Sequence, residues 1–310
     1  MSGLSAVTGA FGYSGKYIAA RLLSEGCQVI TFTGHPRRID PFSGQVKVFP
    51  FNFHQPKQLA RDLQGVDTLY NSYWVRFEHG TTTFGMEVEN SRTLFQAAKE
   101  AGVKRIVHIS IANPTAAGAE RLPYYRGKAT LEEAVKATGI PHAIIRPTVI
   151  FSLEGILINN IAWLLKRIPV FAIPGSGNYQ LQPVFVEDLA RIAVDAGKSR
   201  QNMVVDAVGP ETYTFSELVK LMATINKKHS GNRKPIIIHI PPLLALYCAK
   251  TVGLAIGDVL LTRDELAGLM ANLLVSNQPP TGETSFKLWL AKNIQSLGAK
   301  YSSELKRHYS

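Results

Sequence analysis

Three glycines at three-residue spacing, Gly9, Gly12 and Gly15 within Val7-Thr8-Gly9-Ala10-Phe11-Gly12-Tyr13-Ser14-Gly15, constrain this chain more than any other stretch. Leu4 to Thr8 ahead of them is short, apolar and β-compatible, while Lys16 to Leu23 behind them carries Ile18, Ala19, Leu22 and Leu23 at helical spacing. The pattern predicts a first strand, a tight turn and a first helix. Glycine is needed in such a turn where the backbone curls and where a phosphate or the strand itself comes close. The amino end of the helix then offers N–H groups and a positive dipole end to phosphate. The expected ligand is a dinucleotide, its pyrophosphate held by Gly9, Gly12 and Gly15 with Thr8, Phe11 and Tyr13 in the same turn.

Strand-like and helix-like segments then alternate, which argues for a parallel sheet covered on both faces. Gln28 to Thr33, Val46 to Phe51, Thr68 to Ser72, Arg105 to Ser110 and Pro141 to Pro147 read as strands. Gln55 to Leu63, Phe84 to Ala101 and Pro123 to Thr138 read as helices, with Gly102 stopping the second of these. The expected fold is α/β: a Rossmann-type doubly wound parallel sheet over residues 1–150, followed by a smaller substrate lobe over 151–310. Segments around 180–210 return to the first domain; Met203 to Ala207 supplies a late strand. Thr214 to Ile225 and the helix opened by Thr262-Arg263-Asp264-Glu265 each carry an N-cap threonine with glutamate three residues on.

Composition narrows the partners. The two cysteines, Cys27 and Cys248, match neither a metal spacing nor a disulfide framework, so no metal is expected and a reducing compartment is. The net charge of +11 is spread along the chain rather than gathered in runs, which favours anionic small molecules and matches no nucleic-acid motif. The first strand opens almost at Met1, so the sequence reads as cytoplasmic. Pro241 to Leu261 is nearly all apolar apart from Lys250 and Asp258. Those two charges, with Gly253 and Gly257, argue against a span and leave a buried or groove-lining helix or a peripheral membrane contact.

The nucleotide is read from the end of the second strand. NAD binding would favour an acid there; Thr31-Phe32-Thr33-Gly34-His35-Pro36-Arg37-Arg38 has none. Arg37 and Arg38 suit a 2′-phosphate, so NADP is preferred over NAD, with Thr33, Asn52 and Phe53 near the adenosine. Tyr124 and Lys128, four residues apart, share one helical face. An ammonium near a phenol favours the phenolate, which can then exchange a proton with a carbonyl or alcohol.

On these residues the chain resembles the short-chain dehydrogenase/reductase superfamily in its extended and atypical branches, near the group that includes the 39-kDa accessory subunit of respiratory complex I and the NmrA-like proteins. The resemblance rests on Thr8-Gly9-x-x-Gly12-x-x-Gly15, Tyr124-x-x-x-Lys128, Arg146-Pro147-Thr148 and Val184-Phe185-Val186-Glu187-Asp188. It implies that Tyr124 is the acid/base, that Lys128 binds ribose and tunes the tyrosine, and that Pro147 lies against the nicotinamide. Two positions depart from the family. Ile111 stands where a second Ser or Thr is usual, leaving Ser110 as the substitute, and the asparagine motif after the fourth strand reads Asn71-Ser72-Tyr73-Trp74.

Tyr73, Trp74 and Arg76, in the loop after the fourth strand, are candidate substrate-site residues. His108, inside an apolar strand, reads as a core histidine. Two functions follow. The first is an NADP-dependent oxidoreductase, or an epimerase or dehydratase variant, acting on a partly apolar small molecule as a monomer or homodimer. The second is a nucleotide-binding accessory or sensor protein that turns nothing over.

Overall fold

The computed structural model describes residues 3–35, 39–230 and 235–308, so Arg37 and Arg38 lie outside the described residues. In chain order the elements are β1 (Leu4–Thr8), α1 (Tyr13–Ser24), β2 (Gln28–Thr33), β3 (Val46–Pro50), α2 (Pro56–Asp62), β4 (Thr68–Asn71), α3 (Phe84–Glu100), β5 (Arg105–Ile109), α4 (Pro123–Ala137) and β6 (His142–Pro147). There follow β7 (Ile150–Phe151), α5 (Ile156–Arg167), β8 (Val170–Pro174), β9 (Gln180–Leu181), β10 (Val184–Phe185), α6 (Val186–Lys198) and β11 (Met203–Ala207). The chain finishes with β12 (Tyr213–Thr214), α7 (Phe215–Ser230), β13 (Ile236–Ile240), α8 (Pro242–Ile256), α9 (Arg263–Met270), α10 (Phe286–Asn293) and α11 (Glu304–His308). Two compact units result: one of 1–115, 123–147 and 186–207, the other of 116–122, 148–185 and 208–310.

The first unit is a seven-stranded sheet in the order β11-β6-β5-β4-β1-β2-β3, with every pairing parallel. Parallel strands need crossovers, and α1 to α4 and α6 supply cover on the two faces. The strands carry near-continuous apolar runs because both faces are buried: all five residues of β5 are buried, as are all four of β4. The order reverses between β1 and β4, and that reversal is where such sheets open a crevice at their carboxyl ends.

In the second unit, β8 and β13 pair in parallel, β9 and β12 antiparallel, and β7 and β10 in parallel. Its core gathers Phe151, Ile158, Phe171, Leu218, Met222 and Phe286. The apolar stretch at 241–261 resolves into the 15-residue α8, ended by Gly257 at φ 66°. Asp258, which breaks that stretch, accepts from Tyr301 Oη at 2.8 Å and from the Glu304 and Leu305 amides at 3.0 and 3.1 Å. The carboxylate is there to seat the start of α11. Among the described residues no helix is long and apolar enough to cross a membrane. Both expected capping boxes form: Thr214 exchanges bonds with Glu217, and Thr262 with Glu265.

The turn after β1 shows why its glycines are needed. Gly9 sits at φ 65°, and its carbonyl accepts from the Gly12 amide at 2.7 Å. A Cβ on Gly15 would stand inside contact distance of the Gly9 oxygen, 2.8 Å from the Gly9 carbonyl carbon and 3.0 Å from the Thr8 oxygen. These are backbone atoms that cannot rotate away. Gly15→Ala is therefore expected to lower unfolding free energy by about 1–3 kcal/mol, the usual cost of overpacking. Gly12→Ala, whose Cβ would stand 3.0 Å from the same oxygen, costs less. Urea denaturation of the two variants checks the ranking; equal midpoints would break the close-approach argument.

Candidate active site

Thr8, at the carboxyl end of β1, is fully buried, and its hydroxyl donates to Asn71 Oδ1 at 3.1 Å. The Ser72 amide donates to Thr8 Oγ1 at 2.8 Å and the Ser72 hydroxyl to the Thr8 carbonyl at 2.7 Å. The ends of β1 and β4, the two strands that flank the reversal, are thereby tied together. Thr31 of β2 adds a third tie, accepting from the Ala10 amide at 3.0 Å and donating to the Val7 carbonyl at 2.8 Å. Sequence reading missed Thr31; a polar residue in the middle of an otherwise apolar strand was its signal.

These ties aim the glycine turn. Gly12 is the N-cap of α1 and provides no side chain to occupy the helix end. With the space reserved at Gly15, this backbone fits a pyrophosphate, and Gly9, Gly12 and Gly15 are the residues that would cradle it. Phe11 packs on Phe42, ring centroids 6.2 Å apart, while Tyr13 is half-buried against Tyr17. Thr33, at the end of β2, accepts from the His35 amide at 3.0 Å. Phe53 stacks on Phe51 at 4.8 Å and touches Tyr73 at 5.3 Å, with Asn52 beside them opening the turn to α2.

Asn71 continues the network inward. Its Nδ2 lies 3.1 Å from His108 Nδ1, and its Oδ1 also accepts from the Tyr73 amide at 3.2 Å. Burial holds His108 well below its ordinary range, aided by the nearby Lys128 charge, so the ring is neutral. The expected core histidine is a polar strut between β5 and β4.

Tyr124 and Lys128 emerge from the first two turns of α4. Tyr124 meets Trp74 at 5.8 Å and Phe84 at 5.7 Å, edge to face in both cases, while Trp74 and Phe84 stack at 5.6 Å. Lys128 lies with its ammonium 4.8 Å from the centre of the Trp74 ring, and Nζ donates to the Ile109 carbonyl at 2.9 Å. Gly127 makes this possible: a Cβ there would stand 2.6 Å from the Trp74 ring. So Trp74, a substrate-loop residue by sequence, and Tyr124 and Lys128, from α4, meet in one cluster. Arg76, further along the loop, stacks on Phe77 at 5.7 Å.

Burial drives the Lys128 amine down from 10.5 to about 7, with Glu87 and Glu132 pulling it back up. With one protein acceptor among the described residues, it retains donors for a ligand hydroxyl. Pro147 is buried at the end of β6, its carbonyl accepting from the Ala112 amide at 2.9 Å.

Ser110 lies elsewhere in the network. Its hydroxyl donates to Glu132 Oε1 at 2.6 Å, and Arg146 closes on the same carboxylate through Nε at 2.9 Å and a terminal nitrogen at 2.5 Å. Glu132 is 2% exposed and Arg146 half-buried, and their bidentate pair ties α4 to β6. Glu132 and Arg146 hold the helix that presents Tyr124.

A family described as NAD(P)H-binding matches residues 9–155. The chain is 29% identical over 237 residues to NADH dehydrogenase (ubiquinone) 1 alpha subcomplex subunit 9, mitochondrial, of Arabidopsis thaliana, covering 72% of this chain and 58% of that protein. It thus spans under two thirds of that relative's length. Its fold is similar to a triphenylmethane reductase of Citrobacter sp., at TM-score 0.75 and 18% identity over 95% of this chain and 100% of the other. It is equally similar to an NADPH-dependent quinone oxidoreductase of Escherichia coli solved with NADPH, at TM-score 0.74 and 22% identity over 94% and 99%.

Removing one partner from the Glu132–Arg146 pair strands a buried charge, which typically costs about 3–5 kcal/mol. Arg146→Met should therefore destabilise strongly, whereas the double variant Glu132→Leu with Arg146→Met recovers most of the loss. A double-mutant cycle in urea reads the coupling; additive losses would mean that the pair does not hold α4.

Proposed function

We propose, since the chain belongs to an extended short-chain dehydrogenase/reductase-like family, that it is an NADP(H)-dependent oxidoreductase acting on the carbonyl or alcohol of a partly apolar small molecule. The observation that carries this reading is that the glycine cradle after β1 and the Tyr124–Lys128 face of α4 belong to one unit, linked through Thr8, Asn71 and His108. Bound nicotinamide supplies or accepts a hydride. Tyr124 passes the proton to or from the substrate oxygen, and Lys128 donates to the ribose and favours the phenolate. Trp74 and Phe84 pack edge to face with the phenol ring and orient it. Pro147 lies toward the nicotinamide. An epimerase or dehydratase would use the same pair.

NADP preference rests on the absence of an acid at the end of β2 and on Arg37 and Arg38. The coenzyme named with the Escherichia coli neighbour is also NADPH.

A second reading is favoured by one observation: Ser110 commits its hydroxyl to Glu132, and Ile111 follows it, so the position of the family's second hydroxyl offers no free donor. On that reading the chain keeps NADP(H) bound as an accessory or sensor protein; its Arabidopsis relative is named as one subunit of an NADH dehydrogenase (ubiquinone). Leu243, Leu244, Tyr247 and Leu254, exposed along α8, would then serve a protein or peripheral membrane contact from a cytoplasmic location.

Titration with NADPH and NADH, following nicotinamide fluorescence, tests the shared premise. NADPH should bind more tightly, and Arg37→Ala with Arg38→Ala should raise its Kd about tenfold or more while leaving NADH nearly unchanged. Binding of neither nucleotide removes both readings. Tyr124→Phe separates them: turnover in a carbonyl screen falls by about 10²–10⁴-fold for an oxidoreductase with cofactor affinity retained. An accessory protein shows no turnover to lose.

A further inference from the structure

Helix α3 turns Phe84, Glu87, Val88, Ser91, Leu94 and Phe95 inward, so a carboxylate sits among aromatic and aliphatic side chains. Glu87 is 3% exposed. Its Oε1 accepts from the Tyr73 hydroxyl at 2.8 Å, and Asn90 Nδ2 in turn donates to Tyr73 Oη at 3.0 Å. Its Oε2 is buried without a partner. A buried ionised carboxylate this poorly paired is costly unless a positive charge lies near. The near charge is Lys128, itself 3% exposed, which attracts Glu87 without closing to an ion-pair contact.

Two carboxylates bear on Lys128, Glu132 from its own helix and Glu87 from α3, whose Val88 packs at Gly127, and they are not equivalent. Glu132, one turn along α4, is already neutralised by Arg146 and bonded by Ser110. Glu87 has only the neutral Tyr73 hydroxyl. Of the other groups packed here, His108 on β5 is neutral, Ser91 is uncharged, and Tyr124 stands one turn before Lys128 on the same helix. On α2, which packs on α3, Lys57 and Arg61 are exposed, and Asp62 accepts from Gln58 at 2.7 Å. We propose that Glu87 is a positioning residue for Lys128: its carboxylate, seated by Tyr73, is the uncommitted counter-charge that keeps the buried amine a cation able to donate to a nucleotide ribose. This rests on the cofactor reading for its purpose, though not for its measurement.

The two groups titrate as a pair. Burial pushes Glu87 up to about 7 and Lys128 down to about 7, while each draws the other back toward its charged form. For Glu87 the folded state holds a proton more tightly than the unfolded chain, so its contribution makes stability fall as pH rises from about 4.5 to about 7. For Lys128 the folded state releases its proton more readily, so its contribution makes stability rise from about 7 to about 10.5.

Nucleotide-free denaturation midpoints across this range, for the whole chain, read both limbs. Lys128→Arg, which stays charged, identifies the rising limb by abolishing it. Glu87→Gln should remove the falling limb and start the rising limb about one pH unit or more lower. Tyr73→Phe, which removes only the seat, should shift the rising limb the same way by less. A rising limb in Glu87→Gln that coincides with wild type overturns the proposal. In parallel, NADPH affinity in Glu87→Gln should decline at correspondingly lower pH than in wild type. Should wild type bind no NADPH at any pH, the cofactor reading fails, while the denaturation limbs still decide the role of Glu87.

Discussion

The contact between the amino end of α1 and the carbonyls of Thr8 and Gly9 is the constraint on which the first unit turns. It sets how closely the first helix lies on the sheet, and it does so with no side chain in the gap. The left-handed Gly9 directs the chain out of β1, and the Gly12 amide closes the turn back onto it. A turn held by backbone alone leaves its outward N–H groups and helix dipole for a ligand. Side chains fix its orientation from behind: Thr31 from β2, and Asn71 and Ser72 from β4.

That division of labour runs through the site. Residues expected from sequence to touch a cofactor include some whose polar groups are spent inside the protein, as with Thr8 and Asn71, while the groups with spare capacity are backbone amides and the Lys128 amine. The polar chain Thr8–Asn71–His108 crosses the sheet beneath the reversal point. It links the glycine turn to the strand whose Ile109 carbonyl receives Lys128. The glycine turn and α4 thus share a buried scaffold.

Much of this was legible in the sequence because it is local. A helix period, a Gly-rich turn, a capping box and a C-terminal glycine are each written within a few residues, and β1 to β6, α2 to α4 and both threonine caps fell within one or two residues of their expected ends, while α1 starts at Tyr13, three residues ahead of the expected Lys16. The doubly wound parallel sheet also followed, since alternation with helices leaves few right-handed solutions. What stayed hidden joins distant positions. Nothing local marks Glu132 among the residues of α4, yet Arg146 and Ser110 meet it from β6 and the end of β5. Gly127 looked incidental until Trp74 was seen to need its missing side chain.

Glu87 illustrates the most instructive of these omissions. In sequence it follows Phe84, Gly85 and Met86, where an acid in the first helical turn is ordinarily read as favourable to the dipole and exposed. Its spacing to Val88, Ser91 and Phe95 placed it on the inner face instead, and a charge at an inward position carries information that an apolar residue does not. Buried acids persist where a neighbour uses them. Here the neighbour is a lysine denied water by Trp74 and held by one carbonyl, so the electrostatics of α3 and the chemistry of α4 form a single problem. A helix that packs on α4 can govern the charge of its buried lysine from one turn of its own inner face.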